Sequence, residues 1–201
     1  MNKIKLSGCI NTEPTFKYEF FGEKFYEFLI EILRKSGKSD VIRCVVPEIL
    51  KGSISQCEGV ELIGEIRTRN YTREDETRGC EVFVFVTEVN EYGGEDCNKA
   101  FFDGFICKEP NYRETSLGRR ICDILIANNR ERNDRSDYIP CIAWGRNARR
   151  TSEMPVATKV EIVGRLQSRE YIKHFSDGTE ETRVAYEVSV ATIKERETDG
   201  E

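Results

Sequence analysis

A chain of 201 residues, 33% of them charged and with a formal net charge of −5, has room for one sizeable domain or two small ones. No run of about 18 apolar residues is present to span a bilayer, and residues 1–12 lack the apolar stretch and cleavage site of a secretory signal, so a cytoplasmic protein is expected. An acidic total argues only weakly against nucleic-acid binding, because binding answers to local patches rather than to the sum.

In chain order, residues 4–10 are an apolar run followed by turn residues and predict a first strand. Residues 25–33 alternate up to the turn SGKSD and predict a second; residues 41–46, short and β-branched, predict a third. Residues 47–56 have space for one helix. Residues 60–71, with Gly64 inside, and residues 82–89, alternating in VFVFVTEV, predict the fourth and fifth strands. Five strands with a helix between the third and fourth is the element order of an OB-fold barrel.

The rest of the chain repeats this pattern. Gly8, Glu13, Pro14 and Gly22 each lie 96 residues before Gly104, Glu109, Pro110 and Gly118. SDVIRCVV then pairs with SDYIPCIA at an offset of 97, and GVELIGEIRTRNY with KVEIVGRLQSREY at 100. Three matches in one order, with the offset growing only in loop-like stretches, mark a duplication. The expected architecture is all-β, two tandem five-stranded OB-fold barrels, each with one short helix; the second helix falls in residues 145–154. A first domain is expected over 1–92, a linker over 93–98 within the glycine-rich YGGEDCNK, a second domain over 99–197 and a short acidic tail over 198–201.

Candidate binding residues concentrate in the second unit. Tyr138 and Trp144 lie six residues apart on its third strand and so share a face, while Ile139, Cys141 and Ala143 point the other way and can fill the core. Tyr171 ends the fourth strand beside Arg169; Tyr71 and Arg69 are their counterparts in the first unit. Arg113 precedes the second strand; Arg119, Arg120, Arg130, Arg132 and Arg135 lie along it and its following turn; Arg146, Arg149 and Arg150 follow Trp144. From 119 to 150, eight arginines stand against four acids, a local +4. Aromatic faces for stacking and cations for phosphates are what sequence-tolerant binding of single strands requires.

GFICKEPNYRETSLGRR, ILIANNR, SDYIPCIAWGRNA and VEIVGRLQSREY, in this order and spacing, make the second unit resemble the bacterial single-stranded DNA-binding protein family along nearly its whole length. The first unit resembles it more weakly, in LSGCINTEP and IGEIRTRNY. The resemblance implies an OB-fold that wraps single-stranded DNA in replication, recombination or repair, base-stacking roles for Tyr138, Trp144 and Tyr171, and a nucleoid-associated location. It also implies particles of four OB domains, hence a homodimer of this chain, with replication or repair proteins as further partners.

The first unit departs from the pattern. Tyr138 corresponds to Val41 and Trp144 to Pro47, and residues 1–97 hold 13 basic against 18 acidic residues. Its part is expected to be mainly assembly, with the aromatics between Phe16 and Phe28 as substitutes from another direction. The end KERETDGE lacks the Pro and terminal Phe of the family's partner-recruiting tip. An alternative reading is an OB-fold interaction module similar to primosomal replication protein N. Single-stranded RNA stays open as a ligand, since stacking reads both polymers.

No enzyme chemistry, metal or cofactor is expected. Gly37-Lys38-Ser39 lacks the glycine five residues earlier that a phosphate loop needs, and His174 is the single histidine. Eight cysteines without any C-x-x-C argue against zinc; most are read as small buried hydrophobes in a reducing compartment.

Overall fold

In β1 (Asn2–Ile10), Ile4, Leu6 and Ile10 are buried while Lys3 and Lys5 meet solvent, the two-residue period of a half-buried strand. The computed structural model describes residues 1–54, 58–72, 78–115, 117–130, 135–175 and 178–196. The first unit continues with β2 (Thr15–Phe20), β3 (Glu23–Leu33), β4 (Ser39–Pro47), α1 (Glu48–Lys51), β5 (Gly59–Thr72) and β6 (Arg78–Glu91). The second runs β7 (Cys97–Ile106), β8 (Asn111–Glu114), β9 (Arg120–Asn129), β10 (Ser136–Trp144), α2 (Arg146–Ser152), β11 (Lys159–His174) and β12 (Glu180–Glu195). Cys97 and Asn98, expected in the linker, therefore open β7, and residues 92–96 connect the units.

Each unit holds the five expected strands and the helix, plus one short extra strand. Among the described residues, β2 and β8 pair only with β3 and β9, at the two ends of the sheet. Neither buries a residue, so neither shows the alternation that reveals a strand. Each barrel closes in the same way: β1 meets β3 and β4 runs parallel to β6, just as β7 meets β9 and β10 runs parallel to β12. The long strands bend where the register shifts, between Ile63 and Gly64 and between Val163 and Gly164. A Cβ on either glycine would collide with a neighbouring carbonyl, that of Phe85 or Ser189, so the close approach at each bulge needs glycine.

The units join edge to edge. β1 and β7 pair antiparallel with Ile4 opposite Ala100, Lys3 opposite Phe101 and Lys5 opposite Lys99. Ala100 is the repeat counterpart of Ile4, so the register is centred on a residue and its own copy, which is the signature of a local two-fold axis. The ladder beside it is extended identically on both sides: Asn2 exchanges two hydrogen bonds with the Ile66 backbone (2.7 and 3.1 Å), and Asn98 two with Leu166 (2.6 and 3.0 Å). Buried apolar residues of both barrels form one continuous cluster through this junction.

Two equivalent polar clamps cross the axis. Asp137, 1% exposed, accepts both Nε and Nη2 of Arg130 at 2.7 Å and the Thr68 N–H of the other unit at 2.7 Å. The Tyr138 N–H in turn donates to Thr68 Oγ1 at 2.9 Å. Across the axis, Asp40 is fully buried, accepts Arg34 Nε at 2.6 Å and receives the Ser168 N–H at 3.2 Å, while the Val41 N–H donates to Ser168 Oγ at 3.0 Å. The hydrogen bonds to Asp40 and Asp137 hold the Arg34 and Arg130 guanidiniums above their ordinary range. A buried carboxylate is tolerated only when its charge and lone pairs are met, and both clamps do this with groups from the two units together. Asp137→Ala strands Arg130 and the Thr68 N–H, so the unfolding free energy should fall by about 3–5 kcal/mol. Chemical denaturation measures this, and a loss below about 1 kcal/mol would show that the clamp contributes only what a surface pair does.

Candidate nucleic-acid interface

β10 presents the candidate rings because its alternation is strict at both ends. Ile139, Cys141 and Ala143 are buried, whereas Tyr138 and Trp144 are 42% and 37% exposed on the opposite face. Tyr138 is held in place from the other unit, through the hydrogen bond of its N–H to Thr68 and the buried Asp137 before it. At the far end, Trp144 precedes Gly145, whose φ of 57° turns the chain into α2 and whose N–H donates to the Arg120 carbonyl at 2.9 Å. Arg119, Arg120 and Arg146 are all exposed at this end.

A groove of about 820 Å³ opens between the units, and Tyr138, Tyr171, Tyr71 and Arg69 all line it. Tyr171 is exposed near the end of β11 and carries the Arg169 guanidinium 5.8 Å from its ring centre. Arg169 also lies 3.9 Å from Glu187, a weak pair that leaves most of its side chain in solvent. Arg43, Arg183 and Tyr186 line the groove too and were not singled out from the sequence. The β11–β12 register places Arg183 opposite Tyr171, so pairing the strands on either side of the KHFSDG turn is the signal that would find it. Arg43 lies 5.6 Å from the Tyr186 ring centre, a cation–π contact between the two units.

The candidates thus fall in two zones, the groove and the Trp144 end of β10. Trp144 does not line the groove. Arg113 is exposed but forked onto Asp123 at 2.8 and 3.3 Å. Arg130 is largely enclosed in the Asp137 clamp. Arg132 lies outside the described residues.

Residues 97–195, the whole span from β7 to β12, match the single-strand binding protein family. The second unit is thus a single-strand binding protein family domain. Both units share their fold with the wild-type single-stranded DNA binding protein from Thermus aquaticus, at a TM-score of 0.78 and 17% identity, covering 100% of this chain and 95% of that one. A deletion variant of the same Thermus aquaticus protein gives a TM-score of 0.77 and 18% identity, covering 100% of this chain and 97% of that one. The N-terminal domain of PriB from Thermoanaerobacter tencongensis aligns with 44% of this chain and 93% of its own length at 25% identity, with a TM-score of 0.37 that carries no weight for the fold. No curated protein sequence matches the chain.

Outside that family domain, the first unit's equivalent face is covered. Pro47 and Val45 are buried there, Phe25 and Phe83 close over Val45, and Tyr18 from β2 stacks on Phe25 with ring centres 4.9 Å apart. Of the aromatics expected as substitutes, Phe28 belongs to the barrel core and Phe25 to this cover, while Phe16, Phe20 and Phe21 are exposed. The expectation that most cysteines are buried needs correction. Among the seven described, all free, Cys44, Cys122 and Cys141 are buried, and Cys9 and Cys80 are exposed. Burial pushes the three buried thiols up, which keeps them unreactive. No group of three or more metal-ligating side chains forms among the described residues.

Because Thr68 is the support under Tyr138, Thr68→Val should disturb the groove without touching any exposed ring. The Tyr138 N–H exchanges its acceptor for water, and the unfolding free energy should fall by about 0.5–1.5 kcal/mol, the net contribution of one hydrogen bond. Denaturant titration of the variant beside the parent tests this; equal midpoints would mean the bond contributes nothing.

Proposed function

We propose that this chain binds single-stranded DNA with little sequence preference and shields it during replication, recombination or repair. The observation that carries this reading is the pair of exposed rings on β10, Tyr138 and Trp144, set on a family domain whose buried alternation leaves them no structural work in the core. Six residues of strand separate them by about 20 Å, a span suited to several nucleotides of extended single strand. Tyr171 with Arg169 continues the stacking surface into the groove, and Arg119, Arg120 and Arg146 supply phosphate contacts at the Trp144 end. Tyr71 and Arg69 extend the groove onto the first unit. The rings are sequence-tolerant platforms, because every base offers a π-face; the arginines act through counterion release.

Trp144 is the single tryptophan, so its fluorescence reports one place on the surface. Oligo(dT) should quench it, more weakly as salt rises, and Trp144→Ala should lose about 1–3 kcal/mol of affinity with little change in melting temperature. A stable variant that binds as well as the parent, or a parent that prefers duplex, would overturn the reading. The same titration with oligo(U) decides between DNA and RNA.

The chain is further proposed to form a homodimer that gathers four OB domains. Support comes from β2 and β8, whose outer edges end the sheet without a strand partner among the described residues. Light scattering at micromolar concentration should give twice the chain mass of 23.2 kDa; a monomer would reject the dimer.

A further inference from the structure

The outward face of the first unit contains cations that a carboxylate already occupies. Glu81 on β6 has a side chain only 9% exposed and meets three of them. Lys17 Nζ donates to its Oε1 at 2.7 Å, Arg43 Nη1 donates to the same oxygen at 2.9 Å, and Arg69 Nη2 lies 2.9 Å from Oε2. Glu27 joins the cluster through Lys17 and, at 3.5 Å, through Arg43 Nε. Burial pushes the Glu81 carboxyl up, but the hydrogen bond from Lys17 and the charges of Lys17, Arg69 and Arg43 outweigh it and hold the group below its ordinary range. Glu81 is therefore ionised at neutral pH.

Aromatic surface surrounds this cluster. Lys17 Nζ sits 5.7 Å from the Phe83 ring centre and the Arg67 guanidinium 4.2 Å from that of Phe85. A cavity of about 360 Å³ opens among Lys17, Tyr18, Arg67, Arg69 and Phe83. Clustered cations beside rings are the chemistry of a single-strand site, with the anion position filled from within. The second unit lacks this carboxylate. In the β5–β6 ladder Glu81 stands opposite Arg69, and in the β11–β12 ladder Ala185 stands opposite Arg169. Arg43, Arg69 and Glu81 also line the groove that holds Tyr138 and Tyr171, so the cluster borders the path of a strand in that groove.

We propose that the first unit contains a latent single-strand site, built on Lys17, Arg43 and Arg69, in which the Glu81 carboxylate stands in for a phosphate and so confines the strand to the groove and the second unit. The inference rests on the single-strand reading above. Three cations against Glu81 and Glu27 leave a local charge of +1, and a phosphate must displace Glu81 to enter. Glu81→Gln raises that charge to +2 and keeps a hydrogen-bonding side chain of the same shape.

The test is oligo(dT) affinity across a salt series for the full chain, E81Q, K17A and the E81Q/K17A double variant, each checked for folding by its melting curve. E81Q should bind about tenfold tighter at low salt, with a log K against log salt slope steeper by about 0.7 for each added phosphate contact. K17A should leave the parent's affinity within about twofold and remove most of the E81Q gain. Parent binding with no gain in a folded E81Q overturns the latent site alone. No binding by any of the four overturns the single-strand reading and the latent site with it. If E81Q does not fold, K17A decides: unchanged affinity supports the proposal, and a loss of fivefold or more shows that Lys17 already serves the strand and overturns it.

Discussion

The carboxylates of Asp40 and Asp137, buried on either side of a local two-fold axis, are the constraint on which the remainder of this molecule depends. Each takes an arginine from its own unit and a backbone N–H from the other. Neither can be satisfied by a barrel on its own. A separated first unit would expose Asp40 and leave the Val41 N–H open; a separated second unit would do the same to Asp137 and Tyr138. The β1–β7 ladder brings the edges together, but hydrogen bonds of a ladder tolerate slippage by two residues. The clamps do not, because a slip would carry both carboxylates away from Thr68 and Ser168 at once. Register, the relative orientation of the barrels and the position of Tyr138 are therefore set by one repeated interaction.

The same repetition explains which parts of the two units have stayed alike and which have diverged. Residues at the axis are matched in kind: Asp40 and Asp137, Arg34 and Arg130, Thr68 and Ser168, Asn2 and Asn98 make the same bonds. Residues on the outward faces differ in chemistry. Where the second unit exposes Tyr138 and Trp144, the first has Val41 and a buried Pro47; where the second has Ala185, the first has Glu81 with its three cations. A face that packs Tyr18, Phe25 and Phe83 over Val45 gains apolar burial and gives up an open platform.

Most of the fold was legible because barrel strands alternate. The core residues of β3, β5, β9 and β11 follow the two-residue period, and the glycines of the long strands mark the bends. β2 and β8 were not legible, since a strand that buries nothing has no period to read. Exposure of Tyr138 and Trp144 could be reasoned from their neighbours on β10. The part played by Arg130 could not: beside Arg119, Arg120 and Arg135 it looks like one more cation of a basic patch, and only the register between the units reveals the Asp137 clamp. The cover on the first unit is an intermediate case. VFVFV places Phe83 and Phe85 on the face opposite the core, but the stacking of Tyr18 that closes this face comes from the strand that sequence patterning missed.

Covalent linkage alters what a two-fold interface has to satisfy. Between separate copies of one domain, every residue appears on both sides of the axis, so a substitution that improves one face is imposed on the other. Joined through residues 92–96, the two barrels meet at an effective concentration fixed by that short connection rather than by the amount of protein present. The interface then persists at any dilution, and its symmetry is required only where it is bonded, at Asp40, Asp137 and the β1–β7 edge. Away from the axis each barrel is free to change alone. A carboxylate such as Glu81, which in a symmetric pair would stand beside both copies of this arginine, here stands beside Arg69 and leaves Arg169 facing Ala185. Duplication inside one chain thus allows one barrel to keep an open platform while the other closes its own, without loss of the clamp that positions them both.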